Sequence, residues 1–459
     1  MATAAKRRSL RALPALAVAV TSLAIATAAA QGATVAVSET LGEDNFAELS
    51  FQAAPGEDNR LTITFVNTED GWLDLTVKDD GAPLAVGAGC AGGGAPGQAA
   101  TCRMQEPRAS VRIYCGKMCE HTVPGTSWYA SMRIALGDGD NSFDGGAFSQ
   151  PLPTVAMEVD SGAGDDKIVL GSGADKVDPG GGSDQVDTGP GSDRIETTAA
   201  PDGPDIYDAG ASTDTWGDTV SYERRSVSVQ VAASIAGAAG EGDALVGGFR
   251  IYGGMADDVL AGGPADPALY GGPGNDVLSG SRTKGTELHG GPGDDQLSTA
   301  AASAESYNKL VGGDGDDTYV GGEGSEEMLE SYPLPNDDDL AYGGGNDDTI
   351  ILGGGSDQSF GGPGDDAIDG QSGRDSIHGG LGQDLLVGGY DFDRIFGGRG
   401  SDRLFSGRTL WDVVTPSSHK AADDSPDRVD CGPGRDFGYV NPWDRRSRCE
   451  KNRLLRRLS

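Results

Sequence analysis

The chain has 459 residues with 75 glycines, and 71 acidic residues against 35 basic ones give it a formal net charge of −36 at pH 7. A chain this negative lacks the basic patches that a nucleic-acid surface needs, so nucleic-acid binding is excluded. The glycines follow no three-residue period, which excludes collagen, and an aromatic content of 6% is lean for one large core.

Residues 1–30 predict a cleaved export signal. The basic residues Lys6, Arg7 and Arg8 precede a mainly apolar run over 12–26, and Ala28–Ala30 supply small residues for cleavage. An uncleaved membrane anchor is the alternative, but this run is shorter than the ~20 residues that a span needs. The arginine pair leaves the general and the twin-arginine routes open. We therefore expect a secreted, extracellular protein with no transmembrane segment after cleavage.

Residues 31–135 predict a small N-terminal β region. Segments 59–65 and 72–77 alternate apolar and polar residues, as half-buried strands do. Turn-forming residues at 42–45 and 79–81 separate the strands.

The six cysteines fall in three local pairs along the chain: Cys90 with Cys102, Cys115 with Cys119, and Cys431 with Cys449. An oxidising compartment favours disulfides, and proximity favours this pairing, although six cysteines allow 15 connectivities. Zinc binding by Cys115, Cys119 and His121 is the alternative, and it lacks the fourth ligand of a structural zinc site.

A nine-residue repeat runs without a slip from residue 343. The units are GGGNDDTII, LGGGSDQSF, GGPGDDAID, GQSGRDSIH, GGLGQDLLV, GGYDFDRIF and GGRGSDRLF. Position eight is aliphatic in every unit except the second, which has Ser359. Position six is always aspartate: Asp348, Asp357, Asp366, Asp375, Asp384, Asp393 and Asp402.

An earlier stretch repeats the rule, and a second stretch between it and residue 343 follows the rule more loosely. The first carries Asp166, Asp175, Asp184 and Asp193, and the second carries Asp258, Asp276, Asp295 and Asp317. In the second stretch, GGPADPALY has Pro267 at position six, and the spacing lengthens between Asp276, Asp295 and Asp317.

Each position of the unit has a physical role. Glycine permits positive φ, so the chain can turn sharply and direct carbonyl oxygens inward. Three residues with an apolar centre suit a short strand with one inward side chain. Stacked units bury a core that one unit cannot, and stacking also aligns the aspartates. A glycine-rich acidic linker is the alternative, but a linker gives no reason for the fixed aliphatic residue.

Aligned aspartates repel one another unless a cation lies between them. Calcium takes 6–8 oxygen ligands, from carboxylates and backbone carbonyls, and so fits such a column. We therefore expect Ca²⁺ to hold the array together.

The motif GGxGxD followed by x-aliphatic-x resembles the RTX (repeats-in-toxin) nonapeptide family, in its secreted actinobacterial form. The resemblance implies an all-β fold, a right-handed parallel β-roll in which two units make one turn. It also implies calcium ions between turns, held by position-six aspartates 18 residues apart and by loop carbonyls. Asp348 would then pair with Asp366, Asp357 with Asp375, and so on along the block.

The segments around the repeats also resemble that family. An open roll leaves an unpaired edge, so residues 31–135 are expected to cap it. The tail around Cys431 and Cys449 resembles the family's closing cap, and a disulfide between them would stabilise it by ~3 kcal/mol. The basic end, from Arg445 to Arg457, is expected to lie against the acidic roll, with a cell-surface polyanion contact as the alternative.

The expected organisation is a roll in interrupted blocks. It comprises a signal peptide (1–30), an N-terminal β capping region with disulfides (31–135), a first repeat block (136–205), an insertion (206–246), a degenerate block (247–330), an insertion (331–342), a regular block (343–413) and a disulfide-closed C-terminal cap (414–459).

No catalytic motif emerges from the sequence. It has no G-x-S-x-G, no P-loop and no H-E-x-x-H, and its periodic carboxylates suit ligands better than an acid–base pair. We therefore expect no enzyme activity but a calcium-binding protein that folds on extracellular calcium. Its expected role is structural or adhesive at or near the cell surface, with a cell-surface polymer or protein as partner.

The alternative is a calcium-dependent carbohydrate-active or other hydrolytic enzyme that uses the interrupted face of the roll. Such an enzyme would favour an exposed aromatic stripe. The regular block offers Phe360, Phe396 and Phe405 at its outer positions, which is sparse for sugar stacking.

Overall fold

The chain, in a computed structural model, is built from β-strands. The structure describes the strands and a few flanking residues within 33–144, and residues 156–454 apart from 211–216, 233, 240, 283–284, 331–336, 408–425, 441–442 and 450. These described residues contain no helix, and hence no helix with the length and apolar character to span a membrane. The all-β prediction is confirmed. The predicted signal segment lies outside the described residues.

The N-terminal region contains long antiparallel strands followed by shorter ones. They are β1 Ala33–Thr40, β2 Phe46–Gln52, β3 Asn59–Asn67, β4 Trp72–Asp79, β5 Leu84–Val86, β6 Cys90–Gly92, β7 Ala99–Gln105, β8 Ala109–Tyr114, β9 Cys119–Thr122, β10 Ser131–Ala135 and β11 Ser142–Asp144. The predicted strands at 59–65 and 72–77 are β3 and β4, which pair antiparallel.

The next strands have two to five residues each and belong to the first block and the interruption. They are β12 Ala156–Asp160, β13 Lys167–Val169, β14 Lys176–Asp178, β15 Gln185–Asp187, β16 Arg194–Glu196, β17 Ile206–Asp208, β18 Asp218–Ser221, β19 Gln230–Ala232, β20 Ile235–Ala236, β21 Asp243–Val246, β22 Phe249–Tyr252 and β23 Val259–Ala261.

The strands of the degenerate block vary more in length because some extend into the glycine-rich loops. They are β24 Ala268–Tyr270, β25 Val277–Ser279, β26 Glu287–Pro292, β27 Gln296–Ser298, β28 Tyr307–Asp314, β29 Thr318–Val320 and β30 Ser325–Leu329.

The regular block and the tail complete the strand order. Their strands are β31 Leu340–Tyr342, β32 Thr349–Ile351, β33 Gly354–Gly355, β34 Gln358–Pro363, β35 Ala367–Asp369, β36 Ser372–Gly373, β37 Ser376–Gly382, β38 Leu385–Val387, β39 Arg394–Gly400, β40 Arg403–Phe405, β41 Arg428–Asp430, β42 Phe437–Val440, β43 Arg445–Ser447 and β44 Lys451–Leu454.

Successive short strands alternate between two parallel sheets, which form a solenoid of about 14 turns. In the first sheet β32 pairs with β35 and β35 with β38, and in the second β34 pairs with β37 and β37 with β39. The central residue of each strand points between the sheets, as with Ile368 and Leu386, which are both 0% exposed. The predicted parallel β-roll is therefore confirmed.

Both sheets continue into the N-terminal region. Strand β8 pairs parallel with β10 and also with β2. Strand β9 pairs parallel with β11 and also with β3. The long strands β2 and β3 therefore supply hydrogen-bonding partners for the edge of the first turn, where an open roll would leave backbone groups unpaired.

The interruption is a local reversal inside the second sheet. Strand β19 pairs antiparallel with β20, and β20 pairs antiparallel with β21. In the first sheet, by contrast, β18 pairs directly with β22. The extra residues are therefore accommodated by one sheet, while the other keeps its parallel ladder.

The C-terminal strands extend both ladders beyond the repeats. Strand β40 pairs with β42 and β42 with β44, and β39 pairs with β41 and β41 with β43. A disulfide joins Cys431 to Cys449, as predicted. Cys90 is also disulfide-bonded and lies opposite Cys102 in the β6–β7 register. Cys115 and the side chains of Cys119 and His121, the zinc alternative, lie outside the described residues.

Candidate metal centre

The aspartates that precede the strands form two columns joined by hydrogen bonds. In the regular block, the backbone N–H of Asp348 donates to Oδ1 of Asp366 at 3.0 Å, and that of Asp366 donates to Oδ1 of Asp384 at 3.1 Å. The other column repeats this geometry from Asp357 to Asp375 at 3.0 Å. Each carboxylate therefore bonds to the turn before it, 18 residues earlier.

All fifteen aspartates predicted as ligands are buried, with at most 2% of their surface exposed. They are Asp166, Asp175, Asp184, Asp193, Asp258, Asp276, Asp295, Asp317, Asp348, Asp357, Asp366, Asp375, Asp384, Asp393 and Asp402. The structure places every one of them in the two columns.

The second oxygen of the carboxylate has a different environment. In most of the column aspartates, Oδ2 is buried and has no hydrogen-bond partner among the described residues, as in Asp357, Asp366, Asp375 and Asp384. Burial raises the pKa of Asp366 to about 6, of Asp375 to about 7 and of Asp357 to about 9. Because buried polar atoms normally have partners, these oxygens indicate a ligand.

Backbone oxygens converge on the same positions. A Cβ placed on Gly361 would lie 2.2 Å from Oδ2 of Asp366 and 2.7 Å from the carbonyl oxygen of Gly379, one turn further on. A Cβ on Gly379 would meet Asp384 and the carbonyl oxygen of Gly397 in the same way, at 2.2 and 2.5 Å. The glycine thus leaves open a small space lined by a carboxylate and a carbonyl.

Several column members were not predicted because they lie outside intact nonapeptides. The column hydrogen bonds also involve Asp205, Asp218, Asp243, Asp266, Asn308, Glu326, Asp339, Asp427, Asp436 and Asp444. Many of them, such as Asp205 and Asp243, stand two residues before a buried apolar residue. An aspartate two positions before an apolar residue, without the flanking glycines, was therefore the sequence signal that could have identified these column members.

The irregular units keep the columns intact. Pro267 occupies position six of its unit, but the preceding Asp266 accepts a hydrogen bond from the backbone N–H of Phe249 at 3.2 Å. The lengthened spacings do not break the column. The backbone N–H of Asp276 still donates to Oδ1 of Asp295 at 2.7 Å, and the backbone N–H of Asp295 donates to Oδ1 of Asp317 at 2.8 Å.

At the interruption, tyrosine hydroxyls donate hydrogen bonds to the second carboxylate oxygen of two column aspartates. The hydroxyl of Tyr207 donates to Oδ2 of Asp205 at 2.6 Å, and that of Tyr222 donates to Oδ2 of Asp243 at 2.9 Å.

Beside these aspartates lies a buried ion pair. The guanidinium of Arg225, fully buried, binds both carboxylate oxygens of Glu241 at 2.6 and 2.7 Å and the carbonyl oxygen of Thr198 at 2.7 Å. A cationic side chain therefore stands within the acidic columns at this point.

A second, exposed ladder runs beside the columns at position five. The backbone N–H of Asp365 donates to Oδ1 of Asp347 at 2.8 Å, and that of Gln383 donates to Oδ1 of Asp365 at 2.7 Å. These bonds run in the opposite direction along the roll, so each loop is held to both neighbours.

Aromatic rings stack on the outer face of the second sheet. Tyr342, Phe360, His378 and Phe396 follow one another with centroids 5.1, 4.8 and 4.5 Å apart. The stripe is denser than the sequence suggested, because a tyrosine and a histidine join the phenylalanines. The rings cover one another's faces, so the interior of the stack offers edges rather than the flat faces on which sugars stack.

The fold and the columns define a class of protein, a parallel β-roll with buried carboxylate sites between its turns. A family model for the RTX calcium-binding nonapeptide repeat (4 copies) matches residues 160–195, 252–282, 305–325, 336–359, 353–386, 360–393 and 379–408. These segments of the chain therefore carry RTX calcium-binding nonapeptide repeats. No curated protein matches the chain.

The residues of the columns fit calcium. Hard oxygen ligands from carboxylates and carbonyls are the set that calcium prefers, and the structure supplies both, as at Asp366 and the Gly379 carbonyl. The position-six aspartates would hold the ions together with loop carbonyls. The bound dication would offset the repulsion between neighbouring carboxylates.

Proposed function

We propose that this protein is secreted, folds when it meets extracellular calcium, and has a structural or adhesive role at or near the cell surface. The observation that carries this proposal is the row of buried carboxylate oxygens, such as Oδ2 of Asp375 and Asp384, that have no hydrogen-bond partner in the part of the chain that the structure describes. Burying ionised carboxylates without a counter-charge is costly. The roll therefore needs a cation to be stable at neutral pH, and binding free energy becomes folding free energy.

The proposed role is non-enzymatic. The buried carboxylates recur at the same position in turn after turn, which suits metal ligands rather than one tuned acid–base pair. The two parallel sheets suit the roll to act as a rigid spacer. Its outer face presents the aromatic stack and exposed acidic groups, which a cell-surface polymer or protein would contact.

A calcium titration of the full chain tests the proposal. After removal of calcium by a chelator, we expect weak β signal in far-UV circular dichroism at pH 7.5. Calcium in the sub-millimolar to millimolar range should restore the signal cooperatively, and chelator should reverse it. An identical spectrum with and without calcium, together with no calcium bound in equilibrium dialysis, would contradict the proposal.

A location test addresses secretion separately. Expression of the full chain in a bacterial host should place the protein in the medium or at the cell surface, and a chain lacking residues 1–30 should stay inside. Retention of both forms in the cytoplasm would overturn the secretion part of the proposal.

A further inference from the structure

Glu330 departs from the nonapeptide pattern at a position that lies beside the column carboxylates. It follows β30 and aligns with Gly370, since Leu329 pairs with Ile351 and Ile351 with Asp369 in the ladder. At Gly370, a Cβ would lie 2.4 Å from Oδ2 of Asp375. A side chain at this place therefore starts beside the column carboxylates. Glu330 falls between the segments matched by the repeat family, 305–325 and 336–359.

Three carboxylates meet at this point of the roll. One oxygen each from Asp317, Glu330 and Asp339 lie within 4.8 Å of one another. Asp317 and Asp339 are 1% and 2% exposed, and their Oδ2 atoms have no hydrogen-bond partner among the described residues. Oε2 of Glu330 is likewise buried and unpartnered. Three ionised groups this close repel strongly unless a cation binds them.

The surrounding groups hold Glu330 in place. The hydroxyl of the buried Tyr319 donates to Oε1 of Glu330, while Oε2 has no hydrogen-bond partner among the described residues. The same hydroxyl accepts a hydrogen bond from the backbone N–H of Gly312 at 3.0 Å.

We propose that Asp317, Glu330 and Asp339 form a calcium site with three carboxylates, which binds calcium more tightly than the regular sites and fills first. The 4.8 Å spread of the three oxygens suits calcium, whose ligands at 2.3–2.6 Å can be at most about 5 Å apart. Calcium affinity rises with the number of charged ligands, and each regular site would draw on two column aspartates 18 residues apart. This inference rests on the proposed calcium-dependent function and deepens it.

Competition between the full chain and a chromophoric chelator tests the inference. Wild type should show one calcium bound about tenfold more tightly than the rest, a difference of about 1.4 kcal/mol. Glu330→Gln should lose that tight site and keep the weaker ones. Glu327→Gln is the matched control, because Glu327 lies on β30, three residues before Glu330, carries the same charge and is outside the cluster. It should keep the tight site.

Terbium luminescence gives a second readout that does not depend on the glutamate variant folding. Tyr319 lies next to the site, so excitation of tyrosine should sensitise the first equivalent of terbium bound. Tyr319→Phe should reduce this early emission while all three carboxylates remain. Unchanged emission in Tyr319→Phe would overturn the placement of the tight site.

The outcomes separate this inference from the proposed function. The inference would be overturned if Glu330→Gln kept the tight calcium site, or if wild type showed no calcium bound more tightly than the rest. In either case the weaker calcium binding would still support the proposed function. Absence of any calcium binding would overturn both.

Discussion

The two oxygens of a column aspartate have different roles. In Asp375, Oδ1 accepts a hydrogen bond from the backbone N–H of Asp357 at 3.0 Å, while Oδ2 is buried and has no hydrogen-bond partner among the residues described. The first oxygen sets the spacing between turns, and the second carries the charge that a cation must balance. A change that removes only the charge should therefore affect calcium binding more than backbone pairing.

Asp375→Asn makes that change. Asparagine keeps the Oδ1 acceptor but supplies a neutral group in place of Oδ2. Calcium should therefore bind less tightly at the sites next to residue 375. We expect the midpoint of the calcium titration to rise about tenfold, or about 1.4 kcal/mol, when it is followed by circular dichroism. Asp347→Asn is the control, because Asp347 is exposed and serves the outer ladder. An unchanged midpoint in Asp375→Asn would refute its role as a ligand.

The raised pKa values predict an unusual pH dependence for the metal-free protein. Burial raises the pKa of Asp366 and Asp402 to about 6, and that of Asp184 and Asp317 to about 8. The ordinary value for aspartate is about 3.9. A group whose pKa is higher in the folded state favours folding at low pH, and that contribution is lost as the pH rises through the folded value.

In chelator, the β signal should therefore increase as the pH falls from 8.5 to 5, which stays above the sequence pI of 4.2. Calcium binds the ionised carboxylates, so its apparent affinity should fall over the same range. Circular dichroism and calcium titrations at each pH measure the two effects. A metal-free signal that does not change between pH 8.5 and 5 would show that burial of these groups does not limit folding.

We expect the stability of the interruption to depend less on metal than that of the regular block. Two column aspartates beside the reversal, Asp205 and Asp243, receive hydrogen bonds from tyrosine hydroxyls. The reversal through β19, β20 and β21 brings Arg225 next to Glu241, whose side chain is 1% exposed. This buried pair lies between the first block and the degenerate block, so it should connect them whether or not calcium is bound.

Arg225→Met tests this element. It leaves the carboxylate of Glu241 buried without its partner, which costs about 3–5 kcal/mol for buried pairs. Denaturant unfolding in saturating calcium should show a loss of that size. Arg224→Met is the control, since Arg224 is 46% exposed and its ion pairs with Asp178 and Glu196 lie at the surface; such pairs contribute about 0–1 kcal/mol. Equal losses in the two variants would contradict the assignment.

For the whole molecule, charge opposes folding until calcium binds. The net charge is −36, and self-repulsion of this kind expands a chain. Salt screens exposed charges over about 10 Å at 0.1 M but screens buried carboxylates far less. Ions that fit the sites should therefore compact the protein more than ions that only screen.

Calcium and magnesium should differ in this respect. Magnesium requires near-octahedral geometry at 2.0–2.1 Å and keeps its water, whereas calcium accepts flexible oxygen ligands. Small-angle X-ray scattering of the full chain should show a smaller radius of gyration in 5 mM calcium than in 5 mM magnesium or in sodium chloride of equal ionic strength. Equal compaction by both dications would point to screening rather than to specific sites.

The sequence alone predicted the repeating parts of this protein well. The period of nine placed Ile350, Ile368 and Leu386 in the core and the aspartates of the regular block in columns. Prediction succeeded there because each unit repeats the same local rules, so a residue's place follows from its position in the unit. The disulfide between Cys431 and Cys449 also followed from their proximity along the chain and the resemblance.

The irregular parts were decided by the tertiary structure. Asp339 and Glu330 reach Asp317 because the nearby strands β30 and β31 keep their places in the two parallel sheets. Arg225 reaches Glu241 only because the chain reverses inside one sheet. The physical reason is that repeats encode contacts at a fixed separation in sequence, whereas an insertion changes that separation. The residues that contact an insertion therefore depend on where the chain rejoins the stacked turns.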